Sequence, residues 1–153
     1  WFNIIDVLCG NIQHHIDWTE KRHQSDIQYN QMITNMKTGD FSLFESYMHG
    51  LSDMYREERK AELLKAPLKE IKEPCPQVVA DQVKEKFGTL RFYVSGGDEY
   101  VRGLISMAES MSAVTCETCG APGHQRGSGW IHTYCDKHEE EYQVRQKERY
   151  NGN

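Results

Sequence analysis

The sequence predicts an α+β chain: a helical N-terminal part, a β-hairpin followed by an amphipathic helix, and a C-terminal treble-clef-like zinc finger. Three observations carry this prediction. Glycine and proline are distributed unevenly, with three of twelve glycines and no proline before residue 67. Leu90, Phe92 and Val94 alternate with Arg91 and Tyr93, the two-residue period of a strand with one buried face. Cys116-Glu117-Thr118-Cys119 is answered by Cys135-Asp136-Lys137-His138, two pairs spaced as metal ligands are.

Within residues 1–73, the helical region, Phe2, Ile5, Leu8, Ile12 and Ile16 recur at three- and four-residue steps and share a helical face. The helix continues on a thinner stripe of Ile27, Met32, Ile33 and Met36 to Gly39, a residue that caps a helix at positive φ without steric cost. A short helix through Phe41, Leu43, Phe44, Tyr47 and Met48 stops at Gly50, and Ser52 caps another running to about Lys65. Pro67, Pro74 and Pro76 break helix, which makes the stretch between them the best linker candidate.

Residues 74–114 are expected to hold the hairpin, turning near Lys86–Gly88, and a helix capped by Asp98 with Val101, Leu104, Ile105, Ala108 and Met111 on one face. Residues 115–153 form the expected zinc module, one compact unit with 74–114. Gly120 serves the knuckle after Cys119, Gly127-Ser128-Gly129 turns a hairpin returning through 130–134, and a helix runs from Asp136 to about Tyr150.

The chemistry concentrates in that module. Two residues between ligands let a tight turn aim both side chains at one ion, and zinc takes a tetrahedron of thiolate and imidazole. Cys116, Cys119, Cys135 and His138 supply four donors, so a single zinc ion bound there is structural. His124 and His132 stand as rivals to His138. Cys9 reads as a buried core thiol and Cys75, between two prolines, as an incidental one. On the hairpin, Lys84, Lys86, Arg91 and Tyr93 mix base and aromatic, a composition that suits single-stranded nucleic acid.

Other motifs resolve into ordinary structure. Gly96-Gly97-Asp98-Glu99-Tyr100 has the letters of a diguanylate cyclase signature, but a turn and an N-cap explain them. His14, His15 and Asp17 lie on diverging helix directions and read as a solvated face. An HNH-type nuclease would need a further ligand on the last helix after His138, and none of suitable type and position follows. No run of 18 apolar residues is present, so no membrane span is expected. The start at Trp1 carries no signal-peptide pattern and lacks an initiator Met, as a fragment would. A net charge of -5 argues against a general nucleic-acid coat, and five cysteines argue against a complete disulfide framework.

Val83–Tyr93, Ser95–Glu99, Cys116–Gly123, Gly129–Ile131 and Cys135–His138 together resemble a largely uncharacterised family of small zinc-binding proteins encoded by bacteriophages and prophages. The similarity is weaker before Pro74, where Trp1-Phe2, Ile5, Cys9, Ile12 and Asp17-Trp18 carry it. The resemblance implies a bacterial host cytoplasm and a zinc-binding C-terminal end, and transfers no catalytic residue. The expected function is that of a non-enzymatic accessory protein that binds and modulates a host or defence protein. The alternative is nucleic-acid binding through the zinc module and the hairpin face, and capture of a small nucleotide between helices and hairpin is a third idea.

Overall fold

The structure is a computed structural model that describes residues 1–151; the last two residues of the expected zinc module, 152–153, lie outside the described residues. The fold is α+β. Its elements are α1 (Phe2–Lys37), α2 (Ser42–Tyr47), α3 (Asp53–Lys65), β1 (Val79–Lys86), β2 (Thr89–Ser95), α4 (Glu99–Ser112), β3 (His124–Arg126), β4 (His132–Tyr134) and α5 (Asp136–Asn151). β1–β2 and β3–β4 are two separate antiparallel hairpins.

The chain divides into two compact units. One joins residues 1–16 to residues from 75 onward; the other is Asp17–Pro74. The division differs from the boundary at 73/74 read in the sequence, because the helix repeat is continuous through Ile16 while the partners of its two halves are not. In the first unit Leu8, Ile12 and Ile16 pack with Cys75, Phe92, Val101 and Ala108. In the second Met32, Ile33 and Met36 pack with Phe44, Met48 and Leu63. Each set buries apolar side chains worth about 1.5–3 kcal/mol apiece.

In the second unit the stretch expected to be a linker is instead tied along α1. Asn30 brackets the backbone of Lys69, donating to its carbonyl and accepting from its N–H, both at 2.8 Å. Lys69 Nζ reaches Asp26 at 2.6 Å, and His23 Nδ1 meets the Lys72 carbonyl at 2.8 Å. Ser52 caps α3, as its position before a charged helix suggests.

In the first unit β1 and β2 pair from Val79↔Ser95 to Lys86↔Thr89, with a bulge between Ala80 and Gln82. The turn between them has Phe87 at φ 53° and Gly88 at φ 73°, the two positive values of a type I′ turn. α4 then seals the outer edge of β2. Ser112 Oγ accepts from Leu90 N at 2.8 Å, and Glu109 Oε1 accepts from Phe92 N at 2.9 Å. These bonds satisfy strand donors that would otherwise be open. Asp98 is the N-cap of α4, its Oδ1 accepting from Val101 N at 3.0 Å. The turn-plus-cap reading of Gly96–Asp98 therefore holds.

The hairpin tip meets the C-terminal module directly. Thr133 Oγ1 donates to the Gly88 carbonyl, and Gln125 Nε2 donates to that of Phe87 at 3.1 Å. A Cβ added to Gly88 would lie 3.0 Å from Ile131 Cγ2 and 3.2 Å from the His132 carbonyl carbon, so only glycine fits both the turn and the contact. The return strand is confined to His132–Tyr134, shorter than the 130–134 expected. Among the described residues no helix is long and apolar enough to cross a membrane.

Candidate metal centre

The backbone around Cys116 makes a closed knuckle. Cys116 N donates to the Ala121 carbonyl at 2.8 Å, and Gly120 N to the Cys116 carbonyl at 2.9 Å. Gly120 has φ 77°, a conformation glycine reaches freely. Gly123 lets two backbones touch: a Cβ there would sit 2.8 Å from Cys116 N. The knuckle is joined to β4 by Glu117 N donating to the Thr133 carbonyl at 2.9 Å.

The second ligand pair is placed by the start of α5. The Cys135 carbonyl accepts from Glu139 N at 3.0 Å, the first bond of the helix. Cys135 is thus the N-cap and His138 lies one turn on, which brings both side chains to the same end. Asp136 and Glu139 in the first turn and Arg149 in the last suit the helix dipole.

Knuckle and helix end converge. The donor atoms of Cys116, Cys119, Cys135 and His138 all lie within 4.8 Å of one another. His138 Nδ1 is 3.5 Å from Cys116 Sγ and 3.2 Å from Cys135 Sγ, and Cys119 Sγ is 3.8 Å from Cys135 Sγ. Zn–S bonds of about 2.3 Å and Zn–N bonds of about 2.0 Å set tetrahedral S···S and S···N separations near 3.8 and 3.5 Å. These four residues could hold a metal ion. The fit is in the spacing and in the donor set, three soft sulfurs and an imidazole.

Electrostatics favour a ligand role for Cys116. Burial resists ionisation, but backbone N–H groups of Cys119, Cys135 and Thr118 outweigh it and hold the thiol down at about 6. At Cys119 the Ala121 backbone favours the thiolate, yet burial and the neighbouring Cys116 and Cys135 push the thiol up. A thiolate crowded by neighbouring sulfurs is stabilised by a cation. His138 Nε2 faces Glu141 at 4.0 Å, the outer carboxylate partner often found behind a metal-bound imidazole.

Neither rival histidine joins the cluster. His124 is exposed at the start of β3. His132 is 2% exposed, its Nε2 is 2.8 Å from Glu139 Oε2, and its ring packs against both Tyr134 and Tyr142. That histidine is core structure of the hairpin, not a base facing solvent.

The hairpin face is assembled in part. Lys84 pairs with Arg91 across the strands and Lys86 lies two residues on, so the three bases and Tyr93 share one side of β1–β2. Arg91 is, however, 3.8 Å from Glu109, and Lys84 leans over the Tyr93 ring at 5.2 Å.

Two further residues stand elsewhere than the sequence suggested. Cys9 is exposed rather than in the core, because the buried edge of α1 runs through Leu8, Ile12 and Ile16. Cys75 is buried against His15 and Asp98, with the three donor atoms within 4.8 Å. Helical periodicity carried no signal for that cluster, since its members are far apart in sequence. An apolar groove of about 250 Å³ lies between the start of α1 and α4, lined by Ile4, Val7, Leu8, Leu104, Met107 and Met111. Its polar neighbours are Asn3 and Asn11, and this lining offers a nucleotide phosphate no cation.

No family model matches the chain, nor does any curated protein or solved structure.

Proposed function

We propose that this chain is a non-enzymatic, zinc-stabilised binding protein whose C-terminal module is a treble clef holding one structural zinc ion. The observation that carries the reading is the convergence of four protein donors, Cys116, Cys119, Cys135 and His138, at tetrahedral spacing. A full set of protein ligands leaves the ion no position for a reacting water, so its role is to fix shape. Knuckle, hairpin β3–β4 and a helix with ligands at its start follow the order of a treble clef. The similarity to phage-encoded proteins supports a setting in the bacterial host cytoplasm and a host or defence protein as the partner. Exposed Phe2, Val7 and Met107 near the apolar groove are consistent with a protein-binding surface.

The second reading is nucleic-acid binding through Lys84, Lys86, Arg91 and Tyr93. Its support is their common side of the hairpin. Against it stand the Glu109 contact of Arg91 and the net charge of -5.

The test is affinity purification of the zinc-loaded protein from nuclease-treated bacterial lysate. A stoichiometric protein that survives raised salt and is lost on metal removal supports the first reading. Recovery of nucleic acid alone from untreated lysate, released steeply by salt and abolished by Lys84→Glu with Lys86→Glu, supports the second. X-ray absorption at the zinc edge showing an oxygen ligand would overturn the closed structural site.

A further inference from the structure

We propose that His15, Cys75 and Asp98 form a second binding site for a thiophilic divalent cation such as zinc, distinct from the C-terminal centre. All three belong to the first compact unit. They come from three separate segments: α1, the Pro74–Pro76 stretch and the cap of α4. Their donor atoms, one imidazole nitrogen, one thiol sulfur and one carboxylate oxygen, lie within 4.8 Å of one another. Nitrogen, sulfur and oxygen together are a donor set zinc accepts.

Each donor is held from behind. Asp98 Oδ1 is engaged by Val101 N at 3.0 Å, which leaves Oδ2 turned toward His15 Nε2 at 2.8 Å. The His15 ring stacks on Tyr100 with centroids 4.3 Å apart. Cys75 is 6% exposed and sits between two prolines whose φ angles are fixed. This support from neighbouring groups is what orients ligands at a metal.

An acid–base triad is a poorer account of the same residues. A thiol nucleophile needs an imidazole or another cationic neighbour to stabilise its thiolate. Here the imidazole and the carboxylate both lie within 4.8 Å of the thiol, but His15 Nε2 is engaged by Asp98 at 2.8 Å, and burial together with Asp98 pushes the thiol up. A cation reverses the relation. It replaces the thiol proton, which leaves to solvent, and is attracted by the same carboxylate that opposes a bare thiolate. The His15–Asp98 separation opens by about half an ångström to reach the tetrahedral N···O spacing set by bonds near 2.0 Å. Three protein donors leave the remaining position to solvent. The ion would thus clamp α1, at His15, to the Pro74–Pro76 stretch and the cap of α4.

The experiment is a metal count on the full chain, loaded with zinc alone and freed of excess. Two ions per chain are expected, falling to one in Cys75→Ser and in Asp98→Asn and staying at two in Cys9→Ser. Asparagine caps a helix as well as aspartate does, so Asp98→Asn keeps the fold if Cys75→Ser does not. One ion per chain in the unaltered protein, removed by Cys135→Ser, overturns the proposal. So do two ions undiminished by both Cys75→Ser and Asp98→Asn. One ion removed by Cys75→Ser but indifferent to Cys135→Ser would uphold this site and overturn the C-terminal one.

Discussion

Metal removal should unfold the C-terminal module while the apolar core of its unit persists. Among the described residues from 115 onward, the buried ones are Cys116, Gly123, His132 and Thr133, and none is a large aliphatic. At about 25 cal/mol per Å² of apolar surface removed from water, such a set cannot offset backbone ordering at about 1–2 kcal/mol per residue. Structural zinc in finger peptides contributes about 10–16 kcal/mol of apparent binding energy. A zinc ion bound at the four donors would therefore be the module's main source of order. The other core, Leu8, Ile12, Ile16, Phe92, Val101 and Ala108, has its own apolar contacts. α5 supplies 16 helical residues beside the 36, 6, 13 and 14 of the other helices, so chelation should reduce far-UV helical signal by about a fifth. Hydrogen exchange locates the loss. Amides from Cys116 onward, including Glu117 N and Glu139 N, should lose protection. Leu90 N and Phe92 N, held by Ser112 and Glu109, should keep it. Unchanged protection in α5 with the metal shown to be gone would refute the reasoning, and so would collapse of α4 together with α5.

Four smaller perturbations follow from named contacts. Thr133→Val removes the side-chain hydroxyl bonded to the buried Gly88 carbonyl; a loss of about 1–3 kcal/mol is expected, read from denaturant midpoints at constant slope. Gly88→Ala forces a left-handed residue against Ile131 and the His132 backbone, so thermal melting should fall by several degrees, the equivalent of more than about 1 kcal/mol. Phe87→Asn places at φ 53° a residue that tolerates it; a gain of about 0.5–1 kcal/mol is expected, and a loss would show that the exposed ring contributes contacts of its own. Burial raises the Glu117 carboxyl above the usual range despite the help of Thr133 N and Tyr134. The folded state then holds this proton more tightly than the unfolded one, so its contribution is full below about pH 4 and fades as pH rises through the raised value. Glu117→Gln should flatten that part of the stability profile.

Local chemistry explains why so much of the fold was legible. Ser52 and Asp98 as caps, Gly39 as a helix stop and the alternation of Leu90 and Phe92 are all decided within a few residues, and the structure places each as read. The zinc-type pairs were legible for a related reason. Two ligands per turn is a local constraint, and only one long-range event, the meeting of knuckle and helix end, had to be inferred. Where two elements compete for one segment, the sequence is silent. α1 presents a continuous repeat, yet Ile16 belongs to one core and Met32 to another. The stretch after Pro67 looks like a linker by composition and is fixed by Asn30 and Asp26, some forty residues away.

The cluster of His15, Cys75 and Asp98 shows the same limit at the level of chemistry. Each residue has a sufficient local explanation: a solvated helix position, a thiol between prolines, an N-cap. Asp98 does cap α4 as read, and that success hid its second oxygen. A capping aspartate uses one oxygen on the helix and leaves the other to accept from elsewhere, so a cap can serve as a ligand at no cost to the helix. The signal that could have pointed there was the pairing of residue types. A cysteine held by prolines and a histidine beside a capping acid are each unremarkable, but soft and hard donors brought to one partly buried point are the residues by which a cation recognises a protein. Within this unit, the small module and the α1–α4 core would then each bring together segments distant in sequence around an ion, the module where apolar contact alone is thin and the core in addition to its own packing.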